Sequence, residues 1–216
     1  MYIVALNGSP RRNGATATLL KKALEGAASQ GAETEFIQLN KLSMSGCIAC
    51  FNCKKRGGKS YGKCSIKDDM TPLYEKIERS DAFFLGSPIY FGTITASAKM
   101  FVERLYPYLN YSDLSSNFPK KINTGLVYTM GIEDNRVQTI DQIIQFNQVT
   151  FSFLFGSAET IISTDTFHVE DYSKIVADML EVWAERKLKH RKEVFPKDCE
   201  KAFEMGARFA RVSKNS

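Results

Sequence analysis

Two groups of residues in this chain have types and spacings that can do chemistry. The first is Asn7 to Thr18, read as NGSPRRNGATAT, between the apolar run Tyr2–Leu6 and the helical pattern Leu19, Leu20, Ala23, Leu24. Small residues let backbone N–H groups approach a ligand closely, and a following helix points its positive end at it. Residues 1–24 hold no Asp or Glu, while Arg11, Arg12, Lys21 and Lys22 are basic. That chemistry suits an anion, most simply a single phosphate. The second group is Cys47-x2-Cys50-x2-Cys53-x10-Cys64. Thiols this close in sequence argue for metal or redox chemistry before disulfides.

The elements that must position these residues read as alternating strands and helices. Tyr2–Leu6 is a strand and residues 14–30 a helix; Glu33–Leu39 alternates as a strand. Residues 40–68 form a long cysteine-bearing connection, of a length that usually has a function. Asp68 or Asp69 caps a short helix carrying Met70, Leu73, Tyr74 and Ile77. Asp81–Gly86 is a buried strand, Ser87–Gly92 a turn, and a helix of about fifteen residues follows, with Ala96, Met100, Phe101 and Leu105 on one face. After an aromatic loop over residues 106–121 come a strand at Ile122–Thr129, a helix from Asp134 to Phe151 and a strand at Glu159–Ser163. Asp171–Arg211 reads as two helices broken near Pro196. This order predicts an α/β fold with a mostly parallel sheet covered on both faces. The simplest organisation is one domain over residues 1–216, with a core to about residue 165 and C-terminal helices over about 171–213.

Two phosphate-loop types fail. No Gly-x4-Gly-Lys-Ser/Thr run exists, and the glycines Gly8 and Gly14 do not make Gly-x-Gly-x-x-Gly. Asn7-Gly8-Ser9-Pro10-Arg11, with Asn13, Gly14 and Thr16, instead resembles the phosphate loop of the NADPH-dependent FMN reductase group of flavodoxin-like proteins. Ser87 to Gly92 resembles that group's second flavin loop. The resemblance covers roughly residues 1–165 and implies a five-stranded doubly wound sheet ordered 2-1-3-4-5, with the ligand at the switch point. It departs at Ala15, where such loops often carry Asn or Ser. On this reading Ser9, Arg11, Asn13, Gly14 and Thr16 hold the FMN phosphate. Pro88, Ile89, Tyr90, Phe91 and Gly92 lie along the isoalloxazine, and Thr129, Met130 and Gly131 face its other side. Little acid–base machinery is needed, because the flavin carries the chemistry.

The cysteine spacing resembles the compact motif of iron–sulfur flavoproteins, which carry FMN and a [4Fe–4S] cluster on this fold. Cys47, Cys50, Cys53 and Cys64 are then the ligands. The last gap is longer than usual, and Gly57, Gly58 and Gly62 give the chain the freedom to return. Asp68-Asp69-Met70 is also familiar from that group. Structural zinc, a tyrosine-phosphatase loop (Cys50-x5-Arg56) and an empty remnant are the competing readings. Cys199 reads as a structural thiol, His190 as a surface residue and His168 as a loop residue.

The function implied is an oxidoreductase taking electrons from NAD(P)H through FMN to a small-molecule or protein acceptor. An electron carrier reduced by a ferredoxin-like partner is the alternative. A homodimer or tetramer follows from the resemblance, with the aromatic loop Tyr106–Phe118 as part of the contact. The net charge of +5 resides entirely in residues 184–216 and reads as a solvated helix pair, so no nucleic-acid partner is expected. No apolar run is long enough to span a membrane and no signal peptide is evident, so the expected compartment is the cytoplasm.

Overall fold

The computed structural model describes residues 1–167, 169, 171–174, 176 and 182–212. His168 lies outside them, as does part of the first predicted C-terminal helix. The strands are β1 (Tyr2–Asn7), β2 (Glu33–Gln38), β3 (Ala82–Tyr90), β4 (Thr93–Ile94), β5 (Ile122–Thr129) and β6 (Gly156–Ser163). The helices are α1 (Ala15–Ser29), α2 (Met70–Arg79), α3 (Ala96–Glu103), α4 (Asp141–Phe155), α5 (Ala184–Glu193) and α6 (Phe195–Val212).

The sheet runs β2-β1-β3-β5-β6, all parallel. This is the flavodoxin-like order expected, and it puts the C-terminal ends of β1, β3 and β5 side by side. The expected count of five strands is corrected by β4, which pairs antiparallel with β3 off the main path. Consequently Ser87–Gly92 is not a plain turn. β3 continues through Tyr90, and only Phe91 and Gly92 turn the chain. Both have positive φ (50° and 81°), the requirement of a tight two-residue hairpin. The helix after it is shorter than expected. Thr95 starts it by accepting a hydrogen bond from Ala98 N, and a 3-10 turn at Tyr106–Tyr108 carrying Pro107 follows its end.

Alternation along β1 sorts the core into two layers. Val4 and Leu6 face Met70, Leu73, Phe101 and Phe151, on the α2, α3 and α4 side. Ile3 and Ala5 face Leu19, Leu20, Met205 and Phe209, on the α1 and α6 side. The helices α1 and α6 meet at glycines. A Cβ on Gly26 would stand 1.9 Å from Phe203 O, and one on Gly206 1.8 Å from Ala23 O. Phe209 then stacks on Phe84 with ring centroids 5.4 Å apart. The break between the last two helices falls at Val194, and Pro196 sits in the first turn of α6, where its missing N–H costs nothing. No described helix is long and apolar enough to cross a membrane.

Candidate functional site

The first loop is braced from behind. Asn7 donates to Gln38 Oε1 (2.8 Å) and Arg11 O (3.3 Å), and accepts from Ser9 N (3.1 Å). Gln38 in turn donates to Ser9 O. The end of β2 therefore fixes the curve of the loop after β1. Ser9 is buried at 4% exposure, and its hydroxyl accepts from Arg11 N at 3.2 Å, which leaves its proton free to donate. Gly14 precedes α1 with no side-chain cap and no acidic residue in the first turn. The helix thus keeps its N-terminal positive end for an anion.

This loop is locked to the next two. Gly8 N donates to Gly86 O (2.8 Å), and Thr95 Oγ1 donates to Gly8 O (2.7 Å). Ser87 Oγ accepts from Thr95 N at 3.0 Å. A Cβ on Gly8 would lie 2.7 Å from Ala98 Cβ, so only glycine allows this approach. The hydroxyls of Thr16 and Thr129 share a 2.7 Å hydrogen bond, tying α1 to the end of β5. The C-terminal ends of β1, β3 and β5 thus form one connected rim.

Not every predicted site residue faces that rim. The Met130 side chain is buried in the α2–α4 core, and its backbone is engaged as well: its N–H donates to Ser163 O and its carbonyl accepts from Thr166 N, both at 3.0 Å. Asn13 is exposed and accepts from Lys21 (3.2 Å); with Arg12 it lines a cleft of about 850 Å³ toward the β2 edge. Tyr90 and Phe91 stand out into solvent, Phe91 completely. Gly131 is held by a residue that sequence reasoning missed. Lys187, fully buried, donates to Gly131 O (2.7 Å) and Asp165 Oδ1 (2.9 Å), while Arg186 forks the same carboxylate. Burial opposes the Asp165 charge, but the hydrogen bonds from Arg186 and Lys187 outweigh it and hold the carboxyl below its usual range.

The cysteine loop folds back as its glycines suggested. Gly57 and Gly62 adopt positive φ, and Gly62 N donates to Cys53 O at 2.9 Å. Cys47, Cys50, Cys53 and Cys64 all line one small cavity beside Arg104 and Pro107. All are free thiols. Hydrogen bonds from the Asn52 amide and the Ser65 hydroxyl hold the Cys50 thiol below its ordinary value, whereas burial pushes Cys53 up. Among the described residues, no three His, Cys, Asp or Glu side chains gather closely enough to hold a single metal ion. Cys50 follows no strand and is succeeded only by a 3-10 turn at Asn52–Lys54, which does not match a phosphatase loop.

Two fasteners hold this loop to the body. Lys54 donates to the carbonyls of Leu109 and Pro107 and lies 5.1 Å from the Tyr111 ring. Arg104, only 1% exposed, forks Asp68 at 2.7 and 3.1 Å and also donates to Ser45 O at 3.1 Å. Asp68 further accepts from Met70 N (3.1 Å), while Asp69, at the N-cap position of α2, makes no side-chain cap bond. Burial works against the charged Asp68 carboxyl; the Arg104 fork and the Ser45 and Met70 amides win and keep its pKa low.

A parallel sheet in this order is the flavodoxin-like architecture, in which ligands are expected beyond the ends of β1, β3 and β5. Comparison with known proteins gives the family: residues 1–150 match the NADPH-dependent FMN reductases, and the chain belongs to that family. An iron–sulfur flavoprotein of Methanocaldococcus jannaschii is 36% identical over 148 residues, covering 68% of this chain and 71% of that protein. One of Archaeoglobus fulgidus is 34% identical over 108 residues, 50% of this chain and 47% of its own length. The chain thus spans about 71% of the first relative and about half of the second. In fold it is similar to an NAD(P)H:quinone oxidoreductase from Methanothermobacter marburgensis, with a TM-score of 0.64 at 15% identity, covering 96% of this chain and 98% of that one.

Proposed function

We propose that this chain takes electrons from NAD(P)H through FMN and passes them to a further acceptor, with the four-cysteine loop holding a [4Fe–4S] cluster. The observation carrying the flavin reading is the bond from Gly8 N to Gly86 O, which sets the phosphate loop against the second loop. Bound FMN supplies hydride acceptance and the transfer of electrons singly or in pairs. The protein's part is positioning. Ser9 Oγ, Thr16 and the N–H groups at the start of α1 receive the phosphate, with Asn13 and Gly14 shaping the loop and Arg11 adding charge. The backbone from Pro88 to Gly92 carries the ring, and Thr129 and Gly131 back it, with Gly131 held by Lys187. Tyr90 and Phe91, which stand out into solvent here, would have to fold over the ring to shield it. The decisive experiment adds NADPH or NADH to FMN-loaded protein without oxygen and follows the flavin band at about 450 nm. A band that stays unbleached with both nucleotides overturns the reading.

The cluster reading rests on the convergence of four thiols on one cavity. A four-iron cluster separates its thiolates, each on its own iron, so they need not crowd as they would around one zinc. Iron and sulfide analysis of protein purified without oxygen tests it; zinc in their place overturns it. Exposed Lys55, Arg56, Lys59 and Lys63 surround the loop and favour an acidic electron-transfer partner of the ferredoxin kind as the alternative electron source. Exposed Tyr106, Tyr111 and Leu114 support self-association into a dimer or tetramer, and the set of free thiols supports a cytoplasmic setting.

A further inference from the structure

Arg104 is among the largest fully buried side chains of the molecule. A guanidinium withdrawn from water must be paired at its charge and at its N–H groups. Asp68 meets the charge, and the two terminal nitrogens are taken by Asp68 and Ser45 O. The remaining donor, Nε, is buried and has no partner among the described residues. Arg104 lines the same small cavity as the four cysteines, and Cys50 and Cys64 lie within its electrostatic reach.

The position of its partners in the chain is equally telling. Ser45 stands two residues before Cys47, and Asp68 four residues after Cys64. Ser45 N also donates to Asp68 Oδ2 at 3.3 Å. One guanidinium therefore joins the two feet of the cysteine loop and leaves its buried Nε–H without a partner beside the cavity that the thiols line. Glu103 lines the same cavity, is partly exposed and faces Lys99 at 4.0 Å, whereas the Arg104 charge is met by Asp68.

We propose that Arg104 is the positioning residue of the four-cysteine centre: it clamps both feet of the loop and donates its Nε–H, with its charge, to the sulfur atoms of the bound cluster. This rests on the cluster reading above. A hydrogen bond to sulfur favours the more negative, reduced state of a cluster and so raises its potential, and loss of the guanidinium charge would leave the Asp68 carboxylate unpaired beside the cluster, which lowers it. Arg104 is not among the residues proposed to hold FMN, so its effects should separate from FMN binding.

The test compares wild type, Arg104→Lys and Arg104→Gln, all purified without oxygen, by FMN content, iron and sulfide content, and cluster midpoint potential from redox titration. R104K keeps the charge and loses the Nε–H; R104Q loses both. FMN content should match wild type in both. The potential should become more negative from wild type to R104K and again to R104Q, or iron should be lost from the variants while FMN stays. Should R104Q fail to accumulate, R104K carries the test alone. Wild type without iron overturns the cluster reading and this role together. Wild type with iron, and R104K with unchanged iron content and potential, overturns the role of Arg104 alone.

Discussion

Thr16 and Thr129 stand 113 residues apart in the chain and share a buried hydroxyl–hydroxyl hydrogen bond of 2.7 Å. One belongs to the first turn of α1, the other to the last residue of β5. The bond therefore sets the distance between the phosphate loop and the third loop of the proposed flavin site. In Thr16→Val it is lost and the Thr129 hydroxyl is left buried without its partner. A loss of about 1 kcal/mol should weaken FMN binding by roughly five- to tenfold, read by fluorescence titration of apoprotein. An unchanged Kd would show that this bond does not position the site.

Ser9→Asp places a carboxylate where the phosphate is proposed to sit, against the braced curve made by Asn7 and Gln38. Like charges there should abolish FMN retention through desalting. Retention of the flavin would mean that the phosphate binds elsewhere.

Cys50→Ser removes one thiol from the shared cavity without touching the loops after β1, β3 or β5. Iron content should drop and FMN content should hold. Loss of both in step would contradict the separation of the two sites.

Acid should weaken the fold in a defined window. Asp68 and Asp165 both titrate below their usual value of 3.8 in the folded chain. Groups with depressed folded pKa values contribute stability that is complete above the unfolded value and disappears as pH falls through the folded one. The urea midpoint should therefore be steady on the alkaline side of about pH 5 and drop below about pH 4. Asp68→Asn should flatten part of that drop; a wild-type curve without it would deny these ion pairs a role.

Gly206→Ala presses a methyl group onto the Ala23 carbonyl at a site with no side chain able to yield. We expect a loss of about 2–3 kcal/mol, read from chemical unfolding, with FMN affinity reduced only in proportion to folded protein. A stability equal to wild type would mean that the helices can part without cost.

Much of this was legible in the sequence, and for identifiable reasons. The mostly parallel sheet followed from alternating elements and its strand order from the family resemblance, while the small residues around Gly8 and Gly14 marked the loop after β1. The return of Cys64 followed from its glycines. What escaped notice was long-range. Gln38 sits at the end of a strand and gives no local sign that it braces Ser9. Arg104 and Lys187 lie in helical stretches where a cation reads as solvent-facing, and only the packed fold reveals them as buried partners of Asp68 and Asp165. The extension of β3 through Tyr90 was hidden because Pro88 looks like a turn residue. In the structure Ala82–Pro88 pairs in parallel with β5 and the strand then passes into the β4 hairpin.

The glycine crossing of α1 with α6 has a consequence for how the protein is made. Residues near the start of the chain wait for partners nearly two hundred positions later. On the ribosome, one apolar face of β1 and β3 emerges early, with Phe84 bare until Phe209 arrives to stack on it. Closure over so long a separation is slow, and an uncovered sheet face invites wrong partners meanwhile. The last helix therefore acts as a completion signal: until it has left the exit tunnel, the half-built nascent chain depends on whatever shields its open side.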